Sequence, residues 1–138
     1  MSSSEMSDHE VFENTFYYFV AALRILSSDA VTQCKDLDNY NTPFEIQSDT
    51  ATRGLGTLRL SAHYLDWEKA EVIVDLVAAI RRLPPEALSV PHLSMTRHAG
   101  CVTAMNHPAW SPLREQAVQL LEILAPEIER NAAYFQQP

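Results

Sequence analysis

The side chains with the richest ligand chemistry lie late in the chain. His92, Met95, His98 and Cys101 follow one another at three-residue steps, and His107 comes six residues later. Imidazole, thioether and thiolate groups bind soft or borderline metal ions. The spacing matches no standard zinc pattern, because a second cysteine or a close histidine pair is missing. We therefore expect no metal or other cofactor, and a site formed by His92, His98, Cys101 and His107 remains an alternative hypothesis.

A second group of potential ligands, Asp36-Leu-Asp-Asn-Tyr-Asn41, begins like a calcium-binding loop. Such a loop has an oxygen ligand at its fifth position, glycine at its sixth and a bidentate glutamate at its twelfth. This chain has Tyr40, Asn41 and Gln47 at those positions. We therefore interpret the segment as a polar linker or an interaction surface, and not as a calcium site.

Catalytic and nucleotide-binding patterns are absent from the sequence. Cys101 lies near His98, but no residue is identifiable that would orient the histidine or supply an oxyanion hole. Gly54-Leu-Gly56-Thr is too short for a phosphate-binding loop and has no lysine to reach a phosphate. These absences predict a protein that is not an enzyme.

Nearly all of the net charge of −8 lies in the first part of the chain. Residues 1–50 carry nine acidic side chains against only Arg24 and Lys35, which leaves −7. A field of one sign attracts basic surfaces and repels polyanions, so we expect a basic protein partner and no direct contact with nucleic acid. Aromatic rings among the acids supply anchors for such a partner, and the predicted partner-binding residues are Asp36, Asp38, Tyr40, Phe44, Glu45 and Asp49.

Three helices carry clear start or stop signals. The first begins at Ser7, which forms a capping box with Glu10, and its polar stripe includes Glu13. The second begins at Asp66 and ends at Arg81-Arg82 before two prolines. It is apolar almost all round, with Val74 among its core positions, which predicts that it lies at the centre of the fold. The third begins at Ser111-Pro112, and Pro126 should kink it or divide it after Ala125.

The remaining segments have weaker signals. Ser28–Leu37 is predicted as a short helix that buries Val31, Cys34 and Leu37, and Thr42 as the N-cap of a helix that runs to Gly54. Residues 55–65 alternate in part like a strand, but a lone strand has no pairing partner, so we favour helix or extended loop. Residues 84–112 hold five of the eight prolines and are predicted to be irregular, with a helix at about 95–105. The sequence thus predicts an all-α bundle of five to six helices.

Bulk properties are those of a single domain of 138 residues. The polar, acidic N-terminus differs from a secretory signal, and no apolar run approaches the roughly twenty residues of a membrane span. We expect a cytoplasmic protein without membrane contact, with residues 1–6 disordered.

Three functions are compatible with these patterns. The one we favour is a small acidic protein that occludes a basic partner, as immunity proteins, antitoxins and phage-encoded inhibitors do. The second is a helical bundle that binds a metal or small ligand through residues 92–107. The third is a self-associating structural or regulatory domain, in which the aromatic first helix forms a homodimer face.

Overall fold

The structure, a computed structural model, describes residues 6–137, and that part of the chain contains helices and no strand. The all-α prediction is confirmed, but five to six helices are too few. The proline-rich segment forms two short helices of its own, and the third predicted helix is divided at Leu124. Apart from Met6, the predicted disorder of residues 1–6 lies outside the described residues.

The elements are α1 (Asp8–Leu26), α2 (Ala30–Asp36), α3 (Thr42–Arg59), a 3₁₀ turn (Ser61–His63), α4 (Trp67–Arg81), α5 (Pro85–Leu88), α6 (His98–Met105), α7 (Trp110–Ile123) and α8 (Ala125–Phe135).

Helix α1 lies at the centre of the fold. Its predicted start is confirmed, because the Glu10 backbone amide donates a hydrogen bond of 3.1 Å to Ser7 Oγ. Its apolar face is buried and packs against α2, α3, α7 and α8. The central position predicted for α4 is wrong, since α4 packs mainly against α3 and α7 and leaves Val74 48% exposed. The buried apolar side chains of α1 are Phe12, Phe16, Phe19, Val20, Ala22, Leu23 and Leu26.

Two glycines let α3 pack closely against its neighbours. A Cβ atom at Gly54 would lie 2.7 Å from Val77 Cγ2, and one at Gly56 would lie 2.9 Å from Thr15 Cγ2. Carbon atoms do not approach so closely, so a larger residue would require the side chains of Val77 or Thr15, or the helices themselves, to shift. The glycines that suggested the end of a helix therefore lie inside it, and α3 continues to Arg59.

The starts of α2 and α3 differ in part from the predictions. Asp29 caps α2, with the Thr32 amide donating to its Oδ1 at 2.8 Å, but Val31 is exposed where burial was predicted. Thr42 is the first buried residue of α3 and not its N-cap. Asn41 occupies the cap position with φ of 46°, a left-handed conformation that asparagine tolerates better than most residues.

The proline-rich segment is held by a buried tryptophan. Trp110 is fully buried, and its Nε1 donates a hydrogen bond of 2.9 Å to the carbonyl of Ala87. This contact ties α7 to α5, and α7 begins at Trp110, one residue before the predicted Ser111. Residues 89–97 between α5 and α6 are irregular, and the helix predicted at about 95–105 begins only at His98.

A buried polar bridge links side chains of α2 and α7 to the C-terminal ends of α1 and α6. Gln33 of α2 is fully buried, and its Nε2 donates to the Leu26 carbonyl at the end of α1. Its Oε1 accepts a hydrogen bond of 2.8 Å from Arg114 of α7, which also donates to the Met105 carbonyl at the end of α6. The bridge satisfies carbonyl groups that helix ends leave without partners.

The two neighbouring residues Ile73 and Val74 provide a test of this packing. Ile73 is fully buried and Val74 is 48% exposed. Ile73→Asp buries a charge without a partner and should lower the free energy of unfolding by more than about 3 kcal/mol. Val74→Asp should change it by less than about 1 kcal/mol. Urea unfolding followed by circular dichroism measures both; equal destabilisation by the two variants would contradict the described orientation of α4.

Candidate functional site

The residues predicted to bind a partner lie where α2 ends and α3 begins. Four of them are exposed, and we call them the acidic-aromatic surface: Asp36, Asp38, Tyr40 and Phe44. Tyr40 is 69% exposed and Phe44 53%. Glu45 and Asp49 are less accessible, and the Asp49 carboxylate lies 3.7 Å from the Arg53 guanidinium. Of the four predicted acidic residues, only Asp36 and Asp38 therefore present an exposed carboxylate.

The backbone that carries this surface has an uncommon conformation. Asp38, Asn39 and Asn41 all have φ between 46° and 53°. Left-handed residues persist where surrounding contacts fix them, and here Met95, before α6, and His98, its first residue, supply those contacts. The Asn41 amide donates to the Met95 carbonyl at 3.0 Å, and His98 Nδ1 donates to Asn39 Oδ1 at 2.9 Å.

The four potential metal ligands do not lie together at one site. Cys101 Sγ donates to the Met95 carbonyl, and His107 Nδ1 accepts from the Ala109 amide. His92 is exposed, and His98 contacts Asn39 as described above. Within residues 6–137, no three His, Cys, Asp or Glu side chains converge on one point. The three-residue spacing does not bring them together because α6 begins only at His98.

Both cysteines are buried free thiols. Burial, followed by the neighbouring Cys101, raises the pKa of Cys34 from 9.0 to about 11. A thiol with so high a pKa is a poor nucleophile near neutral pH, because the reactive species is the thiolate.

A cleft that the sequence did not reveal lies between the start of α1, the 3₁₀ turn and α8. Its volume is about 410 Å³, and five rings line it: His9, Phe12, His63, Tyr64 and Tyr134. The His9 and Tyr64 rings stack with centroids 5.3 Å apart and planes within 10°. Tyr64 also stacks on Phe12, at 4.6 Å. We call this the aromatic-carboxylate cleft, since Glu13 and Glu127 also line it.

The two carboxylates of this cleft have different partners. Lys69 Nζ donates to both Glu127 oxygens at 2.8 Å, and Arg130 lies 3.3 Å from the same group. Glu13 is 7% exposed, so its predicted place on a polar stripe is wrong. Its Oε2 lies 3.4 Å from Asn131 Nδ2, and it forms no ion pair with any of residues 6–137.

Sequence periodicity could not have found this cleft. Glu13 and Asn131 are 118 positions apart, and Lys69 and Glu127 are 58 apart. Only the packing of α8 against α1 brings these groups together.

A second depression is a larger, open groove of about 660 Å³ between α1 and α3. Arg53 and Arg59 line it beside Tyr18. The Arg53 guanidinium is already engaged, because it pairs with Asp49, donates to the Tyr18 carbonyl and lies over the Tyr18 ring. The groove therefore presents Arg59 as its one side chain with an uncommitted positive charge among the residues that line it.

Comparison of the chain with protein-family models, curated proteins and solved structures finds no match. Within residues 6–137, none of the helices combines the length and apolar character needed to cross a bilayer.

The cysteines provide a test of the core. The unfolded Cys34 thiol ionises near 9.0 and the folded one near 11, so the folded state keeps a proton that the unfolded state loses. Stability should therefore fall between pH 9 and 11, by an amount on the order of 2 kcal/mol. Urea unfolding at pH 8 and pH 10.5 measures this loss. Cys34→Ala should reduce it, and an unchanged dependence on pH in that variant would contradict the assignment.

Proposed function

We propose that this protein is a small acidic binding protein that occludes a basic partner protein through the acidic-aromatic surface. The observation that carries the proposal is the exposure of Tyr40 and Phe44 beside the carboxylates of Asp36 and Asp38. Large aromatic side chains are enriched among the residues that contribute most to binding. Acids around them favour a partner with complementary charge.

The fixed backbone of the α2–α3 loop favours binding further. Its left-handed residues are held by hydrogen bonds to Met95 and His98, so the loop has little freedom left to lose on association. A surface that is already ordered binds more tightly for the same contacts, because less entropy is lost. The net charge of −8 adds long-range attraction that speeds the encounter.

Occlusion of a basic partner is the mode of action of immunity proteins, antitoxins and phage-encoded inhibitors. The basic surfaces that such proteins cover commonly handle nucleic acids or nucleotides, which are polyanions. A negative protein surface reproduces the charge of the ligand that it displaces. We therefore infer an inhibitory role without catalysis by this chain.

A charge-reversal pair tests the proposal. Asp36→Lys with Asp38→Lys changes the net charge from −8 to −4, and Glu71→Lys with Asp75→Lys on the exposed face of α4 makes the same change elsewhere. Exposed acids contribute little to stability, so neither variant should shift the melting temperature by more than a few degrees. In capture from the native host, a basic protein should bind to the wild type and to the α4 variant, and be lost from the Asp36/Asp38 variant.

Association and dissociation rates with that partner distinguish long-range electrostatic attraction from anchoring by the aromatic ring. The Asp36/Asp38 variant should associate at least about ten-fold more slowly at low salt, and wild-type association should slow as salt rises. Tyr40→Ala should act mainly by speeding dissociation. If the affinity changes neither with salt nor in the Asp36/Asp38 variant, the acidic residues contribute only to solubility. The partner contact then has to be sought on residues 84–112.

Self-association is a second candidate function, favoured by a separate aromatic patch. Tyr17 and Tyr18 of α1 are about half exposed, and Phe135 of α8 packs edge-on against Tyr17 at 5.5 Å. Exposed apolar patches of this kind mark contact surfaces. Light scattering at about 100 µM should detect a dimer, and Tyr17→Ser with Phe135→Ser should convert it to monomer. A monomeric wild type at that concentration excludes this candidate.

A further inference from the structure

We propose that the aromatic-carboxylate cleft binds an organic cation, a guanidinium or alkylammonium group, with the Glu13 carboxylate as its counter-ion. This inference goes beyond the proposed function and does not rest on it. The cleft lies at the opposite end of α3 from the acidic-aromatic surface. It adjoins the 3₁₀ turn that follows α3, whereas Phe44 lies in the first turn of that helix.

The charge of Glu13 is the first argument. The residue is 7% exposed and lines the cleft, so water reaches its carboxylate mainly through the cleft. A buried carboxylate is normally paired with a cation, because unpaired burial is costly. Lys69 and Arg130 are the nearest candidates, but both contact Glu127 instead. The one polar contact to the Glu13 carboxylate among the described residues is the long 3.4 Å approach of Asn131 Nδ2.

The surrounding rings are the second argument. His9, Phe12, Tyr64 and Tyr134 form an aromatic wall in which the closest stacked pair is 4.6 Å apart. The faces of aromatic rings attract organic cations, and cages of such rings recognise alkylammonium groups. Burial, followed by the charges of Glu10 and Glu13, raises the pKa of Tyr134, so its phenol stays neutral. A carboxylate and aromatic rings that line the same cleft therefore match a cation that carries apolar substituents.

The same composition disfavours other ligands. A hard metal ion requires six or more oxygen ligands, whereas Glu127 is already neutralised and one carboxylate remains. Glu13 forms no ion pair with any of residues 6–137, so its carboxylate would repel an anion that approached its side of the cleft. The residues that line the cleft include no serine, threonine or cysteine nucleophile, which favours binding over covalent chemistry. A volume of about 410 Å³ lies within the range of small-ligand sites.

The cation has two sources with the same chemistry: a free small molecule, or an arginine or lysine side chain of another protein. The experiment is an NMR titration of the full chain with choline, with methylguanidinium, and with a capped glycine pentapeptide that carries a central arginine. The neutral controls are 3,3-dimethyl-1-butanol and N-methylurea, which keep the shapes of the first two probes without their charge.

Cationic probes should bind at least about ten-fold more tightly than their neutral counterparts, with shifts at the rings of Tyr64 and Tyr134. Glu13→Gln keeps the size of the side chain and should weaken cation binding by about ten-fold. Tyr134→Leu, at a partly exposed position, should weaken it about three- to ten-fold. Glu115→Gln on the exposed face of α7 is the matched control and should have no effect.

Each outcome decides the question. Binding of the free cations supports a small-molecule ligand, and binding of the arginine peptide alone supports a protein side chain. The proposal is overturned if no probe binds at about 20 mM, if neutral probes bind equally well, or if folded Glu13→Gln, with a melting curve like that of the wild type, binds cations unchanged. The Asp36/Asp38 variant should bind the probes normally, so failure of the proposed function would leave this result unaffected.

Discussion

The fold depends on the burial of one aromatic helix face against a helix that contains glycine where the two meet. Phe12, Phe16 and Phe19 of α1 enter the core, and Gly54 and Gly56 allow α3 to approach α1 and α4 closely. Burial of large aromatic side chains dominates core energetics, but only if the neighbouring backbone can come near. The remaining helices cover the other sides of this pair.

Polar contacts then hold the short helices on that core. The Gln33–Arg114 bridge ties α2 and α7 to the ends of α1 and α6, and Trp110 holds the proline-rich segment through Ala87. Short helices are marginal by themselves and depend on tertiary packing. Because α6 is fixed in this way, residues next to it fix the left-handed α2–α3 loop in turn. The conformation of the acidic-aromatic surface therefore depends on the packing of the core.

The two candidate sites use negative charge in opposite ways. The carboxylates of Asp36 and Asp38 remain hydrated, so they act at a distance and are screened by salt. Glu13 is 7% exposed and lines the cleft, so its carboxylate would act mainly on a group that enters the cleft and would be screened less than the exposed acids. The exposed acids and the cleft lie at opposite ends of α3, so the two proposals can be tested separately.

The sequence by itself determined the helical class, the start of α1 at Ser7, the extent of α4 and the exposed acids at the end of α2. These features follow from local rules: capping chemistry, proline stops and charge patterning. It misplaced Val74, Val31, Thr42 and Glu13, and it placed α4 at the centre in place of α1. It also gave no sign of the cleft. Two features depend on how helices far apart in the chain pack. One is which face of each helix is buried, and the other is which carboxylate remains without an ion-pair partner. That information is in no local window of the sequence, so only the tertiary structure could decide it.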